Sequence, residues 1–166
     1  MNATFLLHHL IANSASRTPD RLALTAGRTS LSYAELNARV QAVASGLIAL
    51  GLARTERVAV FLDKRPETVD TIFGTSAAGG VFVPVNPILK PEQVGYILRD
   101  CNVRVLVTSA ERLKTLTATL AECHDLRHIV LVDAAAEHPQ VSGASIIEWS
   151  ALTASPACAG HRVIDA

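Results

Sequence analysis

The chain has 166 residues, with 15 lysines and arginines balancing 15 aspartates and glutamates. It therefore lacks both the basic surface typical of nucleic-acid binding and an acidic tail. Hydrophobic residues make up 49% and charged residues 18%, which excludes a disordered segment, because enough apolar surface is present to offset the entropy of ordering. The length is that of one ordinary domain.

The first predicted elements are a helix near residues 5–13 and a hairpin. The hairpin consists of residues 22–26 and 29–32, which flank Gly27 and Arg28. Two residues between short β-prone runs are typical of a tight hairpin turn.

The next segment carries the clearest helical pattern in the chain. Its apolar residues recur at the spacing of one helix face: Leu36, Val40, Val43, Leu47 and Leu50. Ser32 and Glu35 fit a capping box at the start, in which each side chain bonds the other's backbone N–H. Gly51 suits the left-handed conformation that ends many helices. The sequence therefore predicts a helix with both ends defined.

The rest of the chain alternates short β-branched runs with helical patterns, which is typical of βα units around a parallel sheet. The predicted strands, near-continuous apolar runs of the kind buried on both faces, are residues 57–62, 80–85, 104–108 and 127–132. The predicted helices are 66–78, 91–101 and one capped by Ser109. We predict an α/β fold, a mostly parallel sheet with flanking helices and Rossmann-like layering.

The periodic pattern ends near Asp133, and beyond it we expect only a short turn or strand around residues 146–152. This divides the chain into an α/β unit of residues 1–133 and a loosely structured segment of residues 134–166. No boundary of a second independent domain is indicated.

No membrane or secretory segment is predicted. The longest stretch without Asp, Glu, Lys, Arg or His, residues 71–89, has about the length of a membrane helix. Gly79, Gly80, Pro84 and Pro87 interrupt it and favour a helix, a turn and a strand instead. A secretory signal requires a lysine or arginine ahead of its apolar run, and the N-terminal apolar run here has neither. We therefore expect a cytoplasmic protein.

The motifs of nucleotide loops, nucleophile elbows and metal sites are incomplete. Residues 74–80 are glycine-rich but lack a lysine and end a helix, so a glycine cap is the simpler interpretation. Residues 143–145 lack the second glycine of a nucleophile elbow. No histidine has metal-ligand spacing, and we predict no catalytic and no metal-binding residue. The cysteines are interpreted as small buried hydrophobic residues: Cys101, Cys123 and Cys158.

Two prolines, Pro84 and Pro87, bracket the end of the strand 80–85 and predict a rigid loop there. Asp63 follows the preceding strand, at the sheet edge where α/β proteins often bind ligands. Each feature has a simpler alternative, a turn for the first and a charged connection to the next helix for the second, and both alternatives stay open.

Five segments, in this order, resemble motifs of the AMP-forming adenylating enzymes, which include acyl-CoA synthetases, peptide-synthetase adenylation domains and luciferases. They are RTPDRLAL (17–24), LSYAELN (31–37), GLARTERVAV (51–60), AGGVFVPVNP (78–87) and the helix and strand of 91–108. The third departs from the family pattern at Thr55 and Glu56, where Gly-Asp is usual. Peptide-synthetase adenylation domains more usually carry Asp at the position of Asn86. The asparagine makes this motif more similar to that of a free-standing acyl-CoA ligase. Residues 83–109 are also similar to acyl-CoA ligases associated with exosortase systems.

The resemblance implies a reaction in which ATP activates a small carboxylic acid as an acyl-adenylate, and the acyl group then passes to coenzyme A. ATP, magnesium and coenzyme A would serve the full-length parent, and none is expected for this chain alone. The family's Ser/Thr/Gly-rich loop ending in Pro-Lys-Gly does not occur in the 166 residues. We therefore expect a fragment that is inactive by itself and whose partners are the remainder of its adenylating domain and a C-terminal domain. A sheet cut in this way would expose an edge, which favours self-association.

The resemblance also implies which residues lie on the coenzyme A side, namely Asn86, Pro87, Ile88 and Lys114. Two alternatives stay open: a fragment of a peptide-synthetase adenylation domain, and a non-catalytic α/β module for binding or dimerisation. The acyl substrate is not predicted.

Overall fold

A computed structural model of the chain describes residues 6–133 and 137–154. The helices are α1 (His9–Arg17), α2 (Tyr33–Ala49), α3 (Pro66–Ala77), α4 (Pro91–Asp100), α5 (Ala110–Leu120) and α6 (Trp149–Thr153). The strands are β1 (Leu22–Ala26), β2 (Thr29–Ser32), β3 (Arg57–Phe61), β4 (Val81–Pro84), β5 (Val103–Thr108), β6 (His128–Leu131) and β7 (Ser145–Glu148).

The predicted hairpin and capped helix are confirmed. Strands β1 and β2 pair antiparallel around Gly27, whose φ is +59°. The hydroxyl of Ser32 accepts the N–H of Glu35 at 3.3 Å, and the carboxylate of Glu35 accepts the N–H of Ser32 at 2.7 Å. Gly51 follows α2 with φ +83°. These bonds satisfy backbone donors that a helix start otherwise leaves unpaired.

The main sheet has the strand order β4-β3-β5-β6-β7, and every neighbouring pair is parallel. From β3 the chain moves outward to β4, then returns past β3 to β5 and continues to β6. Because crossovers between parallel strands are right-handed, this reversal places α3 on one face and α4 and α5 on the other. The result is a doubly wound α/β sheet, as the sequence predicts.

Two cores follow from the alternation of side chains along the strands. Val58 and Val60 of β3 point toward α2 and α3, while Ala59 and Phe61 point toward α4 and α5. The first core also contains Ile11 of α1 and Leu152 of α6. Both faces of the central strands are therefore buried.

Residues 80–85 contain a strand, as predicted, but the prediction that this strand is buried on both faces is wrong. Strand β4 lies at the edge of the sheet, and its terminal residues Val81 and Pro84 are exposed. Pro84 has no N–H to donate, which suits an edge position. Apolar composition alone did not distinguish an edge strand from a central one.

The first helix is shifted from the predicted residues 5–13 to His9–Arg17. Ile11 anchors it in the first core, and the polar residues at its end, Ser16 and Arg17, are exposed. The helix ends at Arg17 because Thr18 precedes Pro19, and a residue before proline disfavours the helical conformation.

Strand β7 and helix α6 lie in the segment where the sequence predicts only a short turn or strand. β7 pairs in parallel with β6 and extends the sheet, and Leu152 of α6 is buried against α2. No helix among residues 6–133 and 137–154 has the length and hydrophobicity that a membrane crossing requires. Cys123 is buried and burial raises the pKa of its thiol, Cys101 is half-buried, and Cys158 lies outside the described residues.

Helices α4 and α5 approach so closely that glycine is needed at Gly95. A Cβ there would overlap the Cγ2 methyl of Thr119. We expect Gly95→Ala to destabilise the fold by about 1–3 kcal/mol, because overpacking outweighs the better helix propensity of alanine. Adding Thr119→Ser, which deletes that methyl, should restore most of the loss in urea unfolding. A double variant as unstable as the single one would contradict this packing.

Candidate functional site

The strands of the main sheet all end at one edge, and the chain leaves that edge in two directions. The connection after β3 leads to α3 on one face, and the connection after β5 leads to α5 on the other. In doubly wound sheets, ligands bind in the crevice that such a divergence opens at the carboxyl ends of the strands. This edge is therefore the first place to look for a site.

A cleft of about 350 Å³ opens there, beside the ends of β3 and β4. It is lined by Val60, Leu62, Asp63, Lys64, Thr68, Pro84, Val85, Asn86 and Pro87. Aliphatic walls with a few polar groups are typical of small-molecule sites. Among the residues that the structure describes, Lys64 forms no ion pair, so its ammonium group is available to an anion.

The loop that follows β4 is held by its own hydrogen bonds. The side-chain oxygen of Asn86 accepts the N–H of Ile88 at 3.1 Å, and the backbone oxygen of Asn86 accepts the N–H of Leu89 at 3.1 Å. These bonds form a compact turn. We call Asn86, Pro87 and Ile88 the 86–88 loop. Its tip carries the side chain of Ile88, which is 83% exposed.

Arg112 connects this loop to the end of β3. Its Nη1 donates to the backbone oxygen of Pro87 at 3.0 Å, and its Nη2 donates to Oδ1 of Asp63 at 2.7 Å. The guanidinium carbon lies 4.5 Å from the centre of the Phe61 ring, within the range of a cation–π contact. One side chain thus bonds two loops and stacks on the sheet.

Arg112 is not among the site residues that the sequence predicts. A signal was present: it lies in the first turn of the helix that Ser109 caps, where the hydroxyl of Ser109 accepts the N–H of Arg112 at 3.2 Å. That turn follows β5, at the same edge as Asp63 and Pro87. Strand order was needed to place these three segments side by side.

The residues predicted for the coenzyme A side are placed unequally by the structure. Asn86 and Pro87 line the cleft, and Ile88 follows them on the loop. Lys114 is exposed on α5, two residues after Arg112, so its side chain leaves the helix on a different side. Among the described residues, the ion pairs and side-chain hydrogen bonds that reach the 86–88 loop come from Arg112 and from the loop itself, and none joins Lys114 to it.

A second group of charges links α2, α3 and the end of β6. Arg65 contacts Glu67 at 2.7 Å and Asp133 at 2.8 Å. Arg39 donates two hydrogen bonds, at 2.8 and 2.6 Å, to Oδ2 of Asp70, whose side chain has no exposed surface. Burial raises the pKa of Asp70, and the hydrogen bonds and charge of Arg39 oppose that rise.

The site is suited to binding and offers no ligand set for a metal. Within residues 6–133 and 137–154, no three His, Cys, Asp or Glu side chains lie close enough to share a metal ion. The cleft supplies apolar walls, the Lys64 ammonium and the Asn86 amide. These groups can hold and orient a ligand.

The sheet and the cleft at its carboxyl edge define a doubly wound α/β unit. The family profile described as AMP-binding enzyme matches residues 11–159. The chain belongs to the AMP-binding enzyme family, as its motif order predicts.

The chain spans only a small part of the relatives that it matches here. It is 38% identical over 123 residues to tyrocidine synthase 3 of Brevibacillus parabrevis, a match that covers 72% of this chain and 2% of that protein. It is similar to the crystal structure of the anthranilate CoA ligase AuaEII in complex with anthranoyl-AMP, at 25% identity and a TM-score of 0.75, covering 80% of this chain and 26% of that one. The fold also matches the R395G mutant of coronafacic acid ligase from Pectobacterium brasiliense, with a TM-score of 0.87 at 17% identity over 97% of this chain and 31% of that one.

Proposed function

We propose that this chain is the N-terminal part of an AMP-forming acyl-CoA ligase. In the proposed reaction, ATP activates a small carboxylic acid as an acyl-adenylate with release of pyrophosphate, and the acyl group passes to the thiol of coenzyme A. The observation that carries the proposal is the cleft at the carboxyl edge of the sheet, bordered by the 86–88 loop, in a chain of the AMP-binding family.

The 86–88 loop and Lys114 would bind coenzyme A. The side-chain oxygen of Asn86 is engaged by Ile88, so its NH₂ group remains to donate to a ligand. The exposed side chain of Ile88 offers apolar surface to a base or to the pantetheine arm, and Pro87 keeps the loop rigid. Lys114, an exposed cation on α5, would meet a phosphate as a point charge.

The chemistry of adenylation would require groups outside the described residues. Phosphoryl chemistry needs cations and donors placed around the moving charge, and the residues that line the cleft offer one cation, Lys64. We therefore propose that residues 1–133 supply the scaffold and the acceptor side, and that residues 134–166 lead toward the catalytic loop of the parent.

ATP–pyrophosphate exchange tests this division. The 166-residue chain is expected to give no exchange with any of a panel of carboxylic acids, whereas the full-length parent is expected to give exchange and to form an acyl-CoA. Robust exchange by the chain alone would overturn the proposed inactivity. A parent that is inactive in both assays would favour the alternative of a binding or dimerisation module, which light scattering of the chain would then examine.

A second candidate is a peptide-synthetase adenylation domain, which the 38% identity to tyrocidine synthase 3 favours. Both candidates transfer the acyl group to a phosphopantetheine thiol, carried by coenzyme A in one case and by a carrier protein in the other. Offering the parent each acceptor separately distinguishes them. Acylation of coenzyme A alone supports our proposal, and loading of a carrier protein alone contradicts it. The association with exosortase systems stays a prediction of the sequence.

A further inference from the structure

Arg112 links two loops and the sheet through one side chain. It bonds the backbone oxygen of Pro87 at 3.0 Å and the carboxylate of Asp63 at 2.7 Å, so it ties the loop after β4 to the loop after β3. Its side chain is only 20% exposed, although the carboxylate of Asp63 is 77% exposed. An exposed ion pair alone contributes little, so the bond to Pro87 and the stacking on Phe61 make this arrangement specific.

The bond from Arg112 holds the 86–88 loop at Pro87, whose backbone oxygen takes no part in the turn bonds accepted by Asn86. The turn bonds of Asn86 fix its internal shape, but they do not fix where the loop lies relative to the cleft. The guanidinium group is planar and presents its donors at fixed angles. Phe61 belongs to a central strand. Because Arg112 stacks on the Phe61 ring and bonds Pro87, it fixes the position of the loop relative to the rigid sheet.

We infer that Arg112 is a positioning residue for the acyl acceptor. It holds the 86–88 loop against the cleft, so that the loop can bind coenzyme A, the molecule that carries the acceptor thiol. The inference rests on the proposed function, in which this loop lies on the coenzyme A side. In this role Arg112 acts through its bonds to Pro87 and Asp63, on the acceptor side of the cleft, rather than on the acyl group or ATP. Its effect is therefore confined to the second half of the reaction.

The test uses the full-length parent enzyme with coenzyme A as the acceptor. Arg112→Ala is expected to raise the KM for coenzyme A by about tenfold, because charge-assisted hydrogen bonds that order the loop are lost. The rate of ATP–pyrophosphate exchange and the KM values for ATP and the carboxylic acid should stay at wild-type values. A residue that merely stabilised the fold would lower both half-reactions together.

Two further variants sharpen the result. Arg112→Lys keeps the charge, but its ammonium group cannot bridge Pro87 and Asp63 as a planar guanidinium group does. Its KM for coenzyme A is therefore expected to lie between those of the wild type and Arg112→Ala. Arg99→Ala is the matched control, because Arg99 forms an exposed ion pair with Glu122 at 3.1 Å on the outer surface of α4 and α5. It should leave the KM for coenzyme A unchanged. If Arg112→Ala does not fold, Arg112→Lys decides the question by the same comparison: a raised KM for coenzyme A with an unchanged rate of ATP–pyrophosphate exchange.

The outcomes separate the inference from the proposed function. A wild-type KM for coenzyme A in Arg112→Ala, or a parallel loss of exchange and transfer, would overturn the inference while leaving the ligase assignment intact. A wild-type parent that forms no acyl-CoA would instead overturn the proposed function, and that result is read from the unmodified enzyme.

Discussion

Replacing Arg39 by alanine is expected to lower the free energy of unfolding by about 3 kcal/mol. The change removes both hydrogen bonds to Asp70, whose side chain has no exposed surface, and leaves its charge buried without a partner. Breaking a buried pair on one side costs about 3–5 kcal/mol. We expect the lower end of that range because Arg39 itself is 36% exposed. Urea unfolding at pH 7 measures the loss.

The Arg39→Ala loss should become smaller as the pH falls. Burial raises the pKa of Asp70, and Arg39 opposes this, so removing Arg39 lets the pKa rise further in the folded state. The neighbouring carboxylate of Glu67 acts in the same direction as burial. A carboxyl whose folded pKa exceeds its unfolded value favours folding at low pH, and that contribution is lost as the pH rises through the folded pKa. The variant should therefore approach wild-type stability as the pH falls from 7 through the raised folded pKa of Asp70.

Two comparisons make the Arg39 prediction specific. Arg99→Ala, which removes an exposed pair with Glu122, should cost less than about 1 kcal/mol. Combining Arg39→Met with Asp70→Leu removes both charges and should be more stable than Arg39→Ala, because no buried charge remains unpaired. Equal losses in Arg39→Ala and Arg99→Ala would show that the burial of Asp70 does not govern the effect.

Replacing Leu106 by alanine is expected to destabilise the fold by about 2–5 kcal/mol. Leu106 belongs to β5 in the middle of the sheet, has no exposed surface, and packs against α4 and α5 in the second core. Its truncation loses buried apolar surface and leaves a cavity that helices on a rigid sheet cannot fill completely. The thermal unfolding midpoint and the urea unfolding curve both measure the change.

Leu22→Ala is the matched control for Leu106, because it removes the same atoms from a side chain that is 61% exposed. It should change the free energy of unfolding by no more than about 0.5 kcal/mol. If both substitutions cost the same, the assignment of β5 to the centre of the sheet would be wrong.

The elements that the sequence predicted well are those defined by neighbouring residues. The hairpin around Gly27 and the capping box of Ser32 and Glu35 depend on contacts within a few positions, so the pattern contains their cause. The five family motifs are equally visible, because order and spacing are properties of the chain itself. Family membership could therefore be predicted without coordinates.

The errors and omissions concern residues distant in sequence. Val81 and Pro84 belong to an apolar run like those of central strands, yet β4 lies at an edge because the chain reverses direction after it. The sequence left a turn or a strand open around residues 146–152, and only the pairing of β7 with β6 decides for a strand. Arg112 contacts Asp63 across 49 positions and Pro87 across 25, and no local pattern records such a contact.

The sequence by itself determined the class of fold, the boundaries of most helices and strands and the family, because periodicity, capping and motif order are local or linear properties. Only the tertiary structure decided which strands are central, where the cleft opens and that Arg112 ties the 86–88 loop to the end of β3. These features depend on strand order and on the side of the sheet that each crossover takes. Both are set by packing of the whole chain, since right-handed crossovers and two buried faces must be satisfied together.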